Sequence, residues 1–255
     1  MRISSKSNET VKNINKLKQK KYRTEMKMYI AEGKKISYEA IKYQKENIYK
    51  IIVSESFAKK NNIPKESIIV DDEVYMYLTE DKNPEGMLSV LKMPEQKEVD
   101  YTDSEIIILD EIRDPGNLGT IIRTLDAVGK KQIVITGDSV DPFMPKVVRA
   151  SMGSVFRINI IEKELNEIIY KLKGKNYQIV GADMHGEDVF TMTKGKYAII
   201  FGNEASGLNE ETKRALDKTI KIPIAGETES LNLSMSVGII AYEFYRKDNY
   251  GTNIR

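Results

Sequence analysis

Apolar residues recur along this chain at two different spacings, one helical and one strand-like. In the first hundred residues, Val11, Ile14 and Leu17, then Tyr22, Met26 and Tyr29, recur at three- to five-residue steps with lysines between them. That period predicts helix over residues 8–29. Glu32-Gly33 breaks the run, and Ile36, Ala40 and Ile41 predict a second helix. Short apolar runs at 48–53, 67–70 and 86–92 read as strands. The region is therefore expected to be a small α/β unit.

Beyond it, residues 93–104 are polar, charged and poor in apolar side chains, as a linker is. Strand and helix patterns then alternate. Strands are expected at 105–109, 132–136, 155–160, 178–182, 197–201 and 219–223. Helices are expected at 117–128, 146–152, 165–172, 210–216 and 233–246. Such alternation predicts a parallel sheet covered on both faces. The expected division is 1–95 for the first domain, 96–104 for the linker and 105–255 for the second domain.

Composition narrows the class. With 40% hydrophobic and 31% charged residues, the chain has the make-up of a globular protein. No apolar run approaches the roughly 18 residues that span a bilayer, and no signal-peptide core follows Met1, so no membrane partner is expected and the location is read as cytoplasmic. Cysteine is absent, which removes disulfides, thiolate metal sites and cysteine nucleophiles, and no metal site is expected. Net charge is only +2, yet residues 1–60 hold 16 Lys/Arg against 6 Asp/Glu. This asymmetry points the first segment at a polyanion, with a merely solvated basic helix face as the plainer reading.

Three polar stretches carry the candidate chemistry. Asp110-Glu-Ile-Arg-Asp-Pro-Gly-Asn-Leu-Gly-Thr-Ile-Ile-Arg-Thr124 follows a buried strand, with Asn117 placed where a helix N-cap would be. Arg123, on the second turn, could reach the same crevice, and Gly119 would allow close backbone approach. The Gly-x-Gly-x-x-Gly dinucleotide fingerprint is absent. Phe201-Gly-Asn-Glu-Ala-Ser-Gly-Leu-Asn209 joins an apolar strand to a glycine-rich turn carrying Glu204. Lys221-Ile-Pro-Ile-Ala-Gly-Glu-Thr-Glu-Ser-Leu-Asn-Leu-Ser234 ends a strand and opens a long helix at Ser230 or Asn232. Each could be an ordinary strand-to-helix cap. Together, three such loops can converge at the carboxyl edge of one sheet, where ligands bind in open α/β folds. His185, in Met-His-Gly-Glu-Asp, reads as an exposed loop residue.

In this order the three stretches resemble the motifs of the SpoU (TrmH-like) RNA 2′-O-ribose methyltransferases of the SPOUT superfamily. Asp141-Pro-Phe-Met-Pro-Lys-Val-Val-Arg-Ala-Ser-Met-Gly153 resembles that family too, and Arg23 with Tyr29-Ile-Ala-Glu-Gly33 resembles its L30e-like substrate-binding domain. The resemblance covers nearly the whole chain. It implies a Rossmann-like parallel-sheet domain with a deep trefoil knot, following a small α/β domain, in a homodimer whose sites are completed by the neighbour. It further implies S-adenosylmethionine held by backbone groups near Gly202, Ile222 and Leu231 with the strand end at Ala182 close by. The implied reaction is methyl transfer to a ribose 2′-hydroxyl. That hydroxyl needs activation, and the family assigns deprotonation to the position of Arg123. A guanidinium that stays protonated fits better as a phosphate clamp and a stabiliser of developing alkoxide charge. Glu204, Asn117, Ser230 and Asn232 would orient it, the ribose and the cofactor.

RNA contacts are expected from Lys20, Lys21, Arg23 and Arg149, supplying phosphate affinity rather than sequence readout. Tyr22, Tyr29, Tyr38 and Tyr43 could stack on unpaired bases or pack in the core. Ribosomal RNA is favoured over transfer RNA, and no DNA partner is expected. The alternatives are a transfer-RNA methyltransferase, a catalytically silent RNA-binding protein on the same fold, and a nucleotide-dependent enzyme on an ordinary doubly wound sheet.

Overall fold

Leu109 and its three predecessors, Ile106, Ile107 and Ile108, are each at most 1% exposed, so this strand is covered on both faces as a parallel sheet requires. The structure, a computed structural model, describes residues 2–251. The outermost residues of the expected domains, Met1 and 252–255, lie outside the described residues. The chain divides into two units, Met1–Glu95 with Asp141–Arg157, and Gln96–Val140 with Ile158–Arg255.

The first unit contains β1 (Arg2–Ile3), α1 (Glu9–Lys16), α2 (Lys20–Met26), β2 (Met28–Glu32), α3 (Lys34–Tyr43), β3 (Ile48–Ser54), α4 (Glu55–Lys60), β4 (Ile68–Val70), α5 (Asp72–Leu78) and β5 (Met87–Lys92). Its sheet order is β1-β4-β3-β5-β2, parallel at β1–β4–β3 and antiparallel at β3–β5–β2. The single helix expected over 8–29 is two helices and a strand. Leu17 closes α1, Lys27 ends α2 in the left-handed region at φ 51, and the chain then extends as β2. Tyr29 lies one helical step from Met26, but it opens the consecutive buried run Tyr29-Ile-Ala, which a half-exposed helix would not carry.

The second unit contains β6 (Glu105–Asp110), α6 (Pro115–Ala127) and β7 (Gln132–Thr136). After α7 (Pro145–Ala150), which packs in the first unit, it continues with β8 (Asn159–Glu162), α8 (Leu165–Lys173), β9 (Gln178–Asp188), β10 (Tyr197–Phe201), α9 (Glu210–Ala215), β11 (Lys218–Lys221) and α10 (Leu233–Tyr250). All six strands run parallel in the order β11-β9-β10-β6-β7-β8. The order reverses at β6, so the loops after β6 and β10 flank the switch point where α/β sheets bind ligands. In α6, Leu118, Ile121, Ile122 and Leu125 are fully buried on one face.

Two departures bear on the site. Strand β9 runs past 182, but Thr219 pairs with Gly181 and the next residue, Ile220, pairs with Glu187, so residues 182–186 loop out of the sheet. Gly186 brings the strand back: a Cβ there would lie 2.4 Å from the Ile220 nitrogen. The strand expected over 155–160 is instead a 3-10 turn at Ser154–Phe156 followed by β8. Val155 and Phe156 are buried without sheet partners.

That turn belongs to the stretch 141–157, which lies between β7 and β8 in sequence and packs in the first unit. Arg23 pairs with Asp141 at 2.5 Å, Arg149 with Glu32 at 3.0 Å and Arg157 with Glu39 at 2.5 Å. The rings of Tyr29 and Phe143 meet at 4.8 Å between centroids.

Candidate active site

The strand–loop–helix passage at β6 sets the first wall. Asp114, not Asn117, is the N-cap of α6; its Oδ1 accepts from the Asn117 backbone N–H at 2.7 Å, and Pro115 fills the first helical position. Starting the helix two residues earlier places Asn117 inside the first turn with its side-chain amide free to reach across.

It reaches Glu204. The Asn117 Nδ2 donates to Glu204 Oε1 at 3.2 Å, and the backbone N–H groups of Arg113 and Asp114 donate to the two carboxylate oxygens at 3.1 Å each. Burial opposes ionisation of Glu204 and is the largest single influence. Hydrogen bonds from its own N–H, from Arg113 and Asp114, and from Asn117 together outweigh it and hold the carboxyl below the ordinary range. On the other side, Asn117 Oδ1 accepts from Asn232 Nδ2 at 3.1 Å. Asn232 is the N-cap of α10, and its Oδ1 accepts from the Ser234 backbone N–H at 2.9 Å and the Ser234 hydroxyl at 2.6 Å. Glu204, Asn117 and Asn232 thus form one hydrogen-bonded line across all three polar loops.

The turn carrying Glu204 is rigid for local reasons. Asn203 and Gly207 exchange backbone hydrogen bonds of 3.0 and 2.9 Å, with Gly207 at φ +68. Asn203 Nδ2 donates to the Glu111 carbonyl at 2.8 Å, fastening this turn to the loop after β6. That fold-back requires glycine at 202, because a Cβ would lie 2.3 Å from the Gly207 carbonyl oxygen.

Beneath the turn lies Asp110, 2% exposed at the end of β6. Its carboxylate accepts from Thr136 Oγ1 at 2.7 Å, Thr212 Oγ1 at 2.9 Å and Asn209 Nδ2 at 3.3 Å. Asp110, Asn203 and Asn209 were not among the sequence candidates. The signal for them was a polar residue closing an otherwise apolar strand and two asparagines bracketing the glycine-rich turn.

The remaining candidates are placed apart from this line. Arg123 is exposed on α6 and, among the described residues, has no hydrogen-bond or ion-pair partner. Six residues of helix turn it well away from the face of Asn117. Ser230 is exposed, is not the cap of α10, and contributes only its carbonyl, to Thr228 Oγ1 at 3.1 Å. Ile222 and Leu231 lie in the exposed segment 222–231, whose backbone groups make no backbone hydrogen bonds among the described residues. Ile224 and Leu231 leave apolar surface uncovered there. Ala182 is half-buried at the start of the loop leaving β9. His185 is exposed.

In the first unit, Lys20 and Lys21 are exposed. Arg23 cannot present itself to a phosphate. It is 2% exposed, and its guanidinium is taken up by Asp141 and by the carbonyls of Leu17 and Lys18. Arg149 is partly exposed and pairs with buried Glu32. Tyr29 is buried and cannot stack on a base, whereas Tyr38 and Tyr43 are exposed.

A parallel sheet covered on both faces, with polar loops meeting at its carboxyl edge and a small α/β unit beside it in sequence, defines a two-unit α/β enzyme. Residues 104–242 match the model of the SpoU rRNA Methylase family, and residues 8–89 match the MRM3-like substrate binding domain. The chain belongs to the SpoU rRNA methylase family. It is 30% identical over 249 residues to the 23S rRNA (guanosine(2553)-2′-O)-methyltransferase RlmP of Bacillus subtilis (strain 168), covering 94% of this chain and 97% of that one. It is 30% identical over 194 residues to the 23S rRNA (uridine(2479)-2′-O)-methyltransferase of Streptomyces viridochromogenes, covering 71% and 68%. The crystal structure of an AdoMet-bound rRNA methyltransferase from Sinorhizobium meliloti matches with TM-score 0.80 and 32% identity over 98% of both chains. Among the described residues, no helix is long and apolar enough to cross a membrane.

Proposed function

We propose that this chain transfers the methyl group of S-adenosylmethionine to a ribose 2′-hydroxyl of ribosomal RNA. The observation that carries this reading is the line Glu204–Asn117–Asn232, which ties the three family motifs into one polar wall at the sheet switch point. The relatives that act on 23S ribosomal RNA favour ribosomal over transfer RNA.

The residues present fit the cofactor. Among the described residues, segment 222–231 makes no backbone–backbone hydrogen bonds of its own beside uncovered Ile224 and Leu231, which suits an adenine ring held by main-chain contacts over apolar surface. The backbone about Gly202, Ile222 and Leu231, with Ala182 nearby in the fold, would hold it. When bound, the cofactor supplies an electrophilic methyl group. The chain's own residues supply the rest. Arg123, a cation with no hydrogen-bond or ion-pair partner among the described residues, binds a substrate phosphate and stabilises negative charge growing on the 2′-oxygen. Glu204 acts indirectly, holding Asn117 and the 113–114 backbone in place. Asn232 and Ser230 border the ribose.

The same reading includes a trefoil knot in the C-terminal loops, a homodimer in which each site is completed by its neighbour, and a cytoplasmic location. Mapping 2′-O-methyl groups in ribosomal and transfer RNA from cells with and without this protein tests the activity. Loss of one ribosomal methyl is the expected result, and an unchanged map rejects the proposal. Calorimetry tests the cofactor, since no heat of binding at millimolar S-adenosylmethionine would count against it.

A further inference from the structure

The first unit contains a cleft of about 270 Å³ between α1 and the sheet, lined by Glu9, Thr10, Asn13, Met28, Tyr49 and Lys50 over a floor that includes Ile14, Leu17 and Val90. From this geometry we infer that the cleft holds one unstacked base of the RNA substrate. The inference rests on the proposed action on RNA and goes beyond it by naming where the substrate-binding unit grips.

Size restricts the occupant. Pockets for drug-sized ligands run from roughly 300 Å³ upward, so this cleft suits a single heterocycle and not a whole dinucleotide or a second cofactor. Its chemistry narrows the choice. The floor is core: Ile14, Leu17 and Val90 are at most 3% exposed, and Met26 and Met28 pack against the same cluster. The polar rim stands on one stripe of α1, where Glu9 and Asn13 are one turn apart. A carboxylate accepts from the amino and imino groups of a base edge, and an amide both donates and accepts. A flat apolar ring with a hydrogen-bonding rim fits a site with an apolar floor and a polar margin.

Tyr49 supplies the stacking face. Lys50 pairs with Val90 and Ile48 with Leu91, leaving Tyr49 as the extra residue of a β-bulge. Bulges re-aim a side chain and are enriched beside functional sites. Tyr49 is 49% exposed at the mouth of the cleft, and the Lys50 ammonium lies 4.8 Å from its ring centroid. An exposed aromatic with a cation beside it matches a base and its phosphate, the mode by which proteins take splayed-out RNA bases. Lys12 and Lys16, exposed on α1, add to the attraction for the backbone.

The test uses the full-length protein and an unmodified transcript of 23S ribosomal RNA. Tyr49→Ala and Asn13→Ala should each raise KM for RNA, about tenfold or more for the tyrosine given the usual size of base stacking. The turnover number at saturating RNA and the S-adenosylmethionine affinity should stay within twofold. Tyr49→Phe, which keeps the ring, should recover most of the loss. Tyr170→Ala, removing an exposed tyrosine from α8, should leave KM unchanged. A KM within twofold of wild type for both Tyr49→Ala and Asn13→Ala would overturn the inference. If the wild-type protein methylates no transcript, the activity proposal fails separately, and filter binding of the same RNA to the same variants still decides the cleft.

Discussion

Asn232 Nδ2 donates to Asn117 Oδ1 at 3.1 Å, joining the cap of the last helix to the first turn of α6 across 115 residues of sequence. Both side chains are amides, so each can donate to one neighbour and accept from another. Asn117 therefore relays between Asn232 and the Glu204 carboxylate. Replacing Asn117 by Asp reverses that capacity, setting a carboxylate against Glu204. Asn117→Asp should reduce methyl transfer at least tenfold and lower thermal stability, while Asn117→Ser should be milder on stability. Single-turnover rates and melting curves on both variants check this.

Glu204 fixes a pH dependence. Its carboxyl is held below the ordinary range in the folded protein by the bonds described above, after they overcome the opposing effect of burial. A depressed folded-state pKa adds stability that is complete above the unfolded carboxylate range and is lost as pH falls through the folded value. Glu204→Gln should therefore cost about 1 kcal/mol near neutrality, discounted because the side chain is exposed. The difference from wild type should shrink towards zero in acid. Urea unfolding of both proteins from pH 7 down to pH 3 measures it, and a difference that grows in acid would contradict the assignment.

Much of this site could be read from the chain because it is built from short segments whose roles are local. A strand end, a glycine-rich turn and a capped helix each leave a signature within about ten residues, and three in order are specific. What stayed hidden is set by non-local packing. Helical spacing could not reveal that Arg23 meets Asp141, 118 residues away, and so turns from an RNA ligand into a buried ion pair. Nor could it reveal that 141–157 belongs with the first unit. The excursion at 182–186 was masked because Gly181 and Glu187 both pair with the same edge strand. The need for glycine at 202 lies in a turn that folds back onto the place a Cβ would occupy.

Arg149 also has a structural partner, the buried carboxylate of Glu32. Glu32 is 3% exposed, and burial raises its carboxyl pKa despite the opposing Thr79 hydroxyl and Arg149 guanidinium. Arg149→Ala would leave the Thr79 hydroxyl and the Lys18 ammonium alone against burial and nearby Asp81, raising the folded pKa of Glu32 further. A raised carboxyl pKa means that the folded state keeps a proton the unfolded chain releases, so stability falls as pH climbs from the ordinary carboxylate range through the folded value. The variant should lose roughly 2 to 3 kcal/mol at pH 8 and clearly less at pH 5, below the full figure for a buried pair because Arg149 is partly exposed. Denaturation at the two pH values distinguishes this from loss of an RNA contact, which would show no such dependence without RNA.

Asp110 should matter for the site although it lies buried beneath the glycine-rich turn. Removing its carboxylate takes the charged acceptor from Thr136 and Thr212, both at most 1% exposed, leaving them the Leu109 carbonyl at 3.5 Å and Asn209 Oδ1 at 2.9 Å, and frees the Asn209 amide nitrogen at the end of the glycine-rich turn. Asp110→Ala should cost about 1.5 to 3 kcal/mol, the scale of hydrogen bonds to a charged group. Asp110→Asn, which keeps the shape and one acceptor, should cost less. Calorimetric affinity for S-adenosylmethionine should fall with Asp110→Ala through disorder of the 202–209 turn.

Arg123 separates binding from chemistry. It is the exposed cation of the first motif with no internal partner among the described residues, so its removal disturbs no hydrogen bond and leaves α6 capped by Asp114. Arg123→Ala should therefore leave the melting temperature and the S-adenosylmethionine affinity unchanged while abolishing methyl transfer. Arg123→Lys keeps the charge but loses the planar fork that grips phosphate in two places, so partial activity with a higher KM for RNA is expected. Rapid-quench rates on unmodified ribosomal RNA, melting curves and calorimetry with S-adenosylmethionine give these readouts. Full turnover in Arg123→Ala would move the stabilisation of the 2′-oxygen to another donor at the sheet edge.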